Sequence, residues 1–499
     1  MTAVEQDVAV TAALAEWAAA LRFPDIPAAT AAFARSQLIS TLAAVRAGWS
    51  HPLGRRLVAA LGRPLEVDAK QSAAVLAGLA NCLDFDDVSC VGHLSVSTVD
   101  VPIAYAADLD LSGADLLTAV VAGNECAARL TSATILGPFF RAQTAAHCHQ
   151  MGAAAALLRA REAGAAEWVS ALGLALGLHS TPVSGAVLDS DLKMLTATMP
   201  VRQALDACDA ARAGITGTAD VLGGDDGLLA RLSGVRIPGG MLSGLGTRWH
   251  TDTLTFKRFP GSAYSQAAYD CAQRMYRQHG PIEAAAVRRI AVHASLLTWL
   301  LDHKVSGHVR GPLTPVTAAT FCTGYGIATL LREGALGATD FTPAALADPA
   351  RWDLAARVEI VHDMALSERM VRATSPLGQA LRQAGPAAAA WPELMAWAGD
   401  DIAGRLAELG PPEDTFEHAT MAIGARVELE FSDGTSVSED CPVAIGMNGP
   451  DTRRDHPAIV RRKFLGAGGR PGVLADLERI DTLGPAETAR VLRAALADL

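Results

Sequence analysis

The chain has 499 residues, 50% of them hydrophobic and 19% charged, and this composition is typical of a globular protein and not of a disordered one. Its formal net charge of −11 argues against a general nucleic-acid binder, because such proteins carry basic surfaces. The eight cysteines show no C-x-x-C spacing, which argues against a zinc ribbon or a disulfide framework and favours reduced thiols in a cytoplasmic protein.

The first half of the chain is predicted to be helical. The opening residues MTAVEQDVAVTAALAEW lack the basic segment of a signal peptide, and no uncharged apolar run of about 18 residues predicts a membrane span. Ala and Leu, the strongest helix formers, dominate the apolar content. Ser112 and Asp115 have the spacing of a capping box, which marks the start of a helix. The predicted helices are 27–47, 112–130, 152–163 and 166–178.

Strands appear only after about residue 250. Alternating or β-branched runs predict strands at 289–295, 357–363, 425–431 and 436–444. Asp433 and Gly434 predict a tight turn that joins the last two strands into a hairpin. Helices are predicted between these strands and again near the C-terminus, at 263–278, 317–334, 391–408, 472–480 and 485–497. The pattern therefore indicates a mostly α protein in which a helical part is followed by a smaller α+β part.

The segment LDFDDVSCVGHLS, residues 83–95, concentrates polar chemistry between two apolar runs. It contains Asp84, Asp86 and Asp87, followed by His93. Carboxylates are seldom buried without partners, and a carboxylate beside an imidazole can move protons near neutral pH. A helix end that runs into a solvated polar loop is the alternative interpretation.

Several motifs occur in the order and spacing of one family. They are LDFDD with His93 nine residues after Asp84, GAAAALLRA at 152–160, Lys193 with GITG at 214–217, KRFPGSAYSQAAYD at 257–270, Tyr325 with Gly334, and RRKFL at 461–465. Together they cover most of the chain, which resembles the MmgE/PrpD family. That family includes 2-methylcitrate dehydratases, cis-aconitate decarboxylases and iminodisuccinate epimerases.

The resemblance implies an architecture and a set of partners. It implies a large all-helical domain formed by residues 1–255 and 446–499, interrupted by a smaller α+β lid domain at 256–445. It also implies a homodimer that acts on a small molecule without metal or organic cofactor. Neither nucleic acid nor membrane is expected as a partner.

The resemblance also assigns site residues, in the cleft between the helical domain and the lid. Asp84, His93 and Lys193 match catalytic positions. The matches to substrate-binding positions are Gln143, Gln266, Tyr325 and Val88. In such a site His93 would serve as the base, Lys193 as the cation, and Asp84 would orient His93 or carry a proton itself.

Three of these positions depart from the family pattern. A histidine is expected at 143 and at 266, where this chain has Gln143 and Gln266, and a threonine is expected at Val88. Glutamine keeps the hydrogen-bonding capacity of histidine but cannot titrate. The nearby His147 and His149 leave open that the match at 143 is shifted along the chain.

We therefore expect a cofactor-independent lyase or isomerase that works by proton transfer, on a substrate other than 2-methylcitrate or cis-aconitate. A repurposed enzyme of specialised metabolism, catalysing an elimination, isomerisation or cyclisation, is the second hypothesis. A non-catalytic binding protein on the same fold is the third. His147, Cys148 and His149 do not by themselves predict a metal site, because no second cluster has ligand spacing.

Overall fold

The computed structural model describes residues 9–89, 92–134, 137–235, 237–497 and 499. Most of them are helical, so the predicted mostly α fold class is confirmed. The α-helices before residue 250 are Val10–Ala20, Ala28–Ser50, Pro52–Leu61, Ala69–Asn81, Ser95–Thr98, Asp100–Tyr105, Gly113–Thr134, Gly137–Phe140, His147–Ala160, Ala165–Gly177, Ser184–Leu188, Leu195–Arg212, Leu228–Leu232 and Pro238–Leu242.

The later α-helices are interleaved with strands and then continue to the C-terminus. They are Gln266–His279, Leu296–Ser306, Val316–Phe321, Thr323–Glu333, Pro343–Leu346, Pro349–Ala355, Met364–Arg372, Pro376–Ala384, Pro386–Ala389, Pro392–Ala407, Pro450–Gly466, Pro471–Leu477 and Pro485–Ala495. Short 3-10 helices lie at Phe23–Asp25, Asp191–Met194, His250–Thr253, Ala263–Ser265, Ala284–Ala286, Ala338–Phe341 and Ile480–Thr482. None of the described helices is long and apolar enough to cross a bilayer.

Small residues let the helices of the first part approach closely. At Gly48, in the helix Ala28–Ser50, a Cβ atom would lie 2.0 Å from the carbonyl oxygen of Leu79 in the helix Ala69–Asn81, so only glycine fits. The capping box at the start of the helix Gly113–Thr134 is present: Asp115 N donates to Ser112 Oγ, and Ser112 N donates to Asp115 Oδ2, each at 3.2 Å.

One four-stranded sheet contains all the described strands that pair over several residues. The strands are β1 Val287–Ala294, β2 Val358–His362, β3 Ala425–Phe431 and β4 Ser436–Cys441, in the order β2-β1-β3-β4. β1 and β2 are parallel, and the other two pairs are antiparallel. Gly434 has φ +87° in the turn between β3 and β4, as the predicted hairpin requires.

The C-terminal helices return to the first part of the chain. The helix Pro450–Gly466 packs on the helix Ala28–Ser50, where His456 Nδ1 lies 2.7 Å from Ser36 Oγ and Lys463 Nζ donates to Ser40 Oγ at 2.9 Å. In the sequence, the sheet and its helices therefore lie between two segments of the chain that pack on each other in space. The exact domain limits at 255/256 and 445/446 stay a prediction.

Candidate active site

A cavity of about 240 Å³ lies between the helical part and the helices Leu296–Ser306 and Val316–Phe321. On the helical side its wall includes the loop at His93, the segment 143–149, the helix Ser184–Leu188 and Lys193. On the other side Tyr264, Leu301, Lys304, Val305 and Phe321 complete it. Most of its lining surface is apolar, so the few titratable groups that line it are the candidates for chemistry.

Asp84 is the centre of the charged groups beside this cavity. It follows the helix Ala69–Asn81 in a left-handed backbone conformation with φ +54°, which is uncommon for a residue with a side chain. Its carboxylate is buried between two lysines: Lys193 Nζ lies 2.9 Å from Oδ1 and Lys257 Nζ lies 3.2 Å from Oδ2. Lys257 also donates to the Asp84 carbonyl oxygen at 2.7 Å, so it holds both the backbone and the side chain of this residue.

His93 reaches the cavity from a position between two aspartates. Its Nδ1 lies 2.7 Å from Asp86 Oδ2, and its Nε2 lies 3.5 Å from Asp84 Oδ1. The imidazole retains 23% exposure, whereas the two carboxylates are almost fully buried. A carboxylate on one ring nitrogen fixes the orientation of the ring and leaves the other nitrogen available for proton transfer.

The lysines and His93 keep the two aspartates ionised. Burial alone would raise the pKa of Asp84, but the adjacent Lys193, Lys257 and His93 outweigh that effect and hold its pKa far below the usual range. The pKa of Asp86 is also lowered, because the attraction of His93 and Lys257 exceeds the effect of burial. Two negative charges therefore flank His93.

A second layer of polar contacts holds the loop from behind. Asp87 accepts hydrogen bonds from the side-chain amide of Gln37 and from Ser95 N, the latter at 2.9 Å. Lys463 donates to the carbonyl oxygen of Phe85, and burial lowers the pKa of this lysine to about 7. The loop that carries Asp84, Asp86 and His93 is thus held by residues from two distant parts of the chain, Gln37 and Lys463. The intervening Cys90 lies outside the described residues.

Two further histidines line the cavity as neutral groups. His147 and His149 are buried at the start of the helix His147–Ala160. Burial lowers the pKa of each to about 3. His147 Nε2 lies 3.1 Å from Thr134 Oγ1, and His149 Nδ1 lies 3.7 Å from Cys148 Sγ. Burial raises the pKa of the Cys148 thiol to about 12, so this cysteine is not an activated nucleophile.

The structure brings together four of the seven predicted site residues. Lys193, His93 and Gln143 line the cavity, and Asp84 lies directly behind Lys193 and His93. The polar contacts of Gln143 are backbone ones, since its N–H donates to Pro138 O at 2.9 Å. No described residue bonds the side-chain amide of Gln143, so this amide can meet a ligand.

The other three predicted site residues are not among those that line this cavity. Gln266 is buried and serves the loop before it, because Phe259 N donates to its Oε1 at 3.3 Å and its Nε2 donates to Phe259 O at 3.1 Å. Tyr325 is buried, and its hydroxyl donates to Asp340 O at 2.6 Å. Val88 is buried and pairs with Thr255 through the backbone.

Three residues of the site were not predicted from the sequence. Asp86 was noted only as part of an acidic run, although its position two residues after Asp84 was the available signal. Lys257 opens the motif KRFP, but nothing in the spacing places it on Asp84. Lys304 carries no motif at all, and only the fold brings it to the cavity.

Asp84, Asp86 and His93 are also the one described group of side chains whose ligand atoms could surround a metal ion. Both oxygens of Asp84, however, face ammonium groups of Lys193 and Lys257. A cation placed there would have to displace or oppose these lysines, so the donor set suits proton transfer better than metal binding.

Comparison with known protein families agrees with this architecture. A family model described as the MmgE/PrpD N-terminal domain matches residues 12–238, and one described as the MmgE/PrpD C-terminal domain matches residues 259–382. The search of curated proteins returned no match to the chain. The first matched segment contains Asp84, His93, Gln143 and Lys193.

Proposed function

The chain belongs to the MmgE/PrpD family, and on that basis we propose that it is a cofactor-independent lyase or isomerase. Membership supports a dehydratase- or lyase-type enzyme in general. The observation that carries the finer proposal is the placement of His93 between Asp84 and Asp86, at the wall of a cavity that Lys193 also lines. The active site is the cleft formed by the helical part and the proposed lid, residues 256–445.

In this proposal His93 is the group that moves the proton. Asp86 accepts the Nδ1 hydrogen, which leaves Nε2, 3.5 Å from Asp84 Oδ1 at the wall of the cavity, as the basic nitrogen. Proton abstraction from a carbon next to a carboxylate or another carbonyl group turns His93 into an imidazolium, which Asp84 and Asp86 stabilise. The ammonium of Lys193 then stabilises the negative charge that develops on the substrate oxygen. Return of the proton from the His93 imidazolium to another carbon of the enolate gives isomerisation. Departure of a group from the carbon next to the enolate, with its bonding electron pair and the proton of His93, gives elimination.

The repurposed-enzyme hypothesis gains support from the cavity. Gln143 lines it where the family pattern expects a histidine, and an amide has no protonation state that is useful near pH 7. We therefore propose weak or absent activity on 2-methylcitrate and cis-aconitate. The third hypothesis, a binding protein, accounts less well for two buried lysines and two ionised aspartates arranged around one histidine.

The experiment that tests the proposal is proton exchange in deuterium oxide. Candidate hydroxy acids, unsaturated acids and oxo acids are incubated with the purified chain, and loss of the signal of the proton next to the carbonyl is followed by NMR. Exchange or elimination that disappears in His93→Gln and persists in the presence of a chelator supports the proposal. Full activity of His93→Gln, or activity that is lost on chelation and restored by one divalent ion, would refute it.

We also propose that the chain forms a homodimer through its helical part, as the resemblance implies. Exposed apolar side chains support this: Leu178 is 70% exposed and Met199 is 52% exposed. The two lie near each other, because the amide of Gln203, one turn after Met199, donates to Leu178 O at 2.7 Å. Light scattering at micromolar concentration that gives the monomer mass of 51.8 kDa would contradict the proposal.

A further inference from the structure

The charges at the cavity restrict the charge of the substrate. Among the described lining residues, the fully charged groups are Lys193 and Lys304, and no arginine or carboxylate is present. Asp84 already neutralises Lys193 at 2.9 Å. His147 and His149 are neutral, as shown above. The cavity wall therefore provides one positive charge that no described acid compensates, whereas a tricarboxylate would bring about three negative charges into a mostly apolar space.

That one charge is the ammonium of Lys304. It lies in the last turn of the helix Leu296–Ser306, across the cavity from the helical part, and its Nζ is 4.0 Å from the ring centroid of Phe139. No described carboxylate lies within ion-pair distance of it, and burial lowers its pKa. The side chain is exposed overall, so the ammonium lies at the mouth of the cavity where an anionic group can reach it.

The use of lysine in this chain gives a second reason to single out this residue. Only five of its 42 basic residues are lysines. Two of them hold Asp84, a third holds Phe85, and Lys70 pairs with Asp206 and Asp209 at the surface. Lys304 is thus the one lysine that neither pairs with a described acid nor donates to a described loop carbonyl.

Between Lys304 and His93 the cavity wall is hydrophobic. Phe139, Val187, Leu301, Val305 and Phe321 contribute to it. Such a wall favours an apolar body of the substrate, and buried methylene groups gain affinity there in proportion to the area removed from water. A second charged group placed along it would lose its hydration without gaining a partner.

We propose that the substrate is an amphipathic monocarboxylate. Its single carboxylate pairs with Lys304 at the mouth, its apolar body lies along the hydrophobic wall, and the group presented to His93 and Lys193 is uncharged. A neutral carbonyl at that end suits the site, since one base and one shared ammonium are available to form and stabilise an enolate. This inference depends on the proposed function in one respect, namely that the end of the substrate at His93 and Lys193 is the end that reacts.

The test measures equilibrium binding of simple probes to the full-length chain by calorimetry. Hexanoate and octanoate vary the length of the apolar body, octanamide removes the charge, and octanedioate adds a second charge at the same length. We expect octanoate to bind most tightly, with a gain of up to about fourfold per methylene over hexanoate. Octanedioate and propane-1,2,3-tricarboxylate should bind more weakly than octanoate.

Two variants and one control locate the interaction. Lys304→Gln should lower the affinity for octanoate by about five- to tenfold and leave the affinity for octanamide unchanged, because only the ion pair is lost. Leu301→Asn should weaken octanoate and octanamide alike. Lys70→Gln removes a lysine at a remote surface and should change neither. Thermal unfolding of each variant shows whether it remains folded.

The outcomes separate this proposal from the proposed function. Absence of octanoate binding, equal binding of octanamide and octanoate, tighter binding of a di- or tricarboxylate, or an unchanged octanoate affinity in Lys304→Gln would each overturn it. His93→Gln should keep the same order of probe affinities, since binding does not require proton transfer. The expected order without any proton exchange would therefore retain the substrate class and refute the enzymatic function.

Discussion

Two networks of acidic and basic side chains occupy different regions of this molecule. In the loop at Asp84, charged side chains meet each other and His93 and Lys193 face a cavity. In the region of Tyr325, Arg351 Nη1 donates to the Tyr325 hydroxyl at 3.2 Å, and Nη2 pairs with Asp340 at 3.0 Å. Tyr325, Asp340 and Arg351 do not line the cavity at His93. Availability to a ligand, and not burial or charge, distinguishes the two.

Replacement of His93, the proposed base, tests the difference between the two networks most directly. His93→Gln should lower kcat by about 10²–10⁴-fold, because glutamine keeps a hydrogen bond to Asp86 but cannot take up the proton. Steady-state kinetics on the identified substrate measures the effect, with circular dichroism to verify folding. An equal loss in Tyr325→Phe would show that the second network also belongs to the active site.

Gln266 is expected to act on stability and not on catalysis. Gln266→Leu leaves Phe259 N–H and two buried carbonyl groups without their side-chain partner, so the free energy of unfolding should fall by about 1–3 kcal/mol. Urea denaturation measures the change, and kcat per folded molecule should stay near that of the unmodified chain. Gln143→Leu is the matched control, since it should alter ligand binding with little effect on stability.

The cavity region should make stability depend on pH. His147 and His149 have a pKa of about 3 in the folded state and about 6.5 when unfolded, so only the unfolded chain takes up these protons between those values. Stability is therefore highest above pH 6.5 and falls as the pH is lowered. Between pH 7 and pH 5 each histidine should cost about 2 kcal/mol.

Urea denaturation at the two pH values, for the unmodified chain and for His147→Gln and His149→Gln, measures this dependence. Each variant should lose less stability on acidification than the unmodified chain does. Tyr325→Phe should show the same pH dependence as the unmodified chain, because no histidine belongs to the second network described here. If neither histidine variant reduces the pH dependence, the two imidazoles are not held neutral by burial.

The smallest effect is expected from the hydroxyl of Tyr325. Tyr325→Phe removes its donation to Asp340 O and the contact with Arg351, which should lower the free energy of unfolding by about 1 kcal/mol. Arg351 keeps its ion pairs with Asp340 and Glu333, and these limit the loss. A change of kcat beyond twofold would contradict the separation of the two networks.

The fold was largely accessible from the sequence because its signals are local. The capping box at Ser112, the Asp433–Gly434 turn and the helical spacing of Ala and Leu each arise from residues that are neighbours in the chain. The acids of residues 83–95 and His93 are also neighbours in the chain, although the contact of Asp86 with His93 is seen only in the fold. Lys193 needed the family resemblance, since it stands 109 positions after Asp84 in the sequence.

The rest of the site depends on contacts that no local pattern encodes. Lys257 meets Asp84 and Lys304 meets Phe139 only after two parts of the chain have packed together. The sequence also does not distinguish Gln266 and Tyr325 from residues that line the cavity. Their partners include backbone groups of Phe259, Ser262 and Asp340. A buried side chain that completes a loop has the same composition around it as one that binds a substrate.

The scarcity of lysine has a practical consequence for chemical labelling. Lys193, Lys257 and Lys463 are buried, and Lys70 is half-buried in its ion pairs, so Lys304 is the one exposed lysine among the described residues. An amine-selective acylating reagent used sparingly should therefore modify this chain mainly at Lys304 and at its α-amino group. A fluorophore attached to Lys304 would lie at the cavity mouth, and its emission would report entry of a ligand without any assay of turnover.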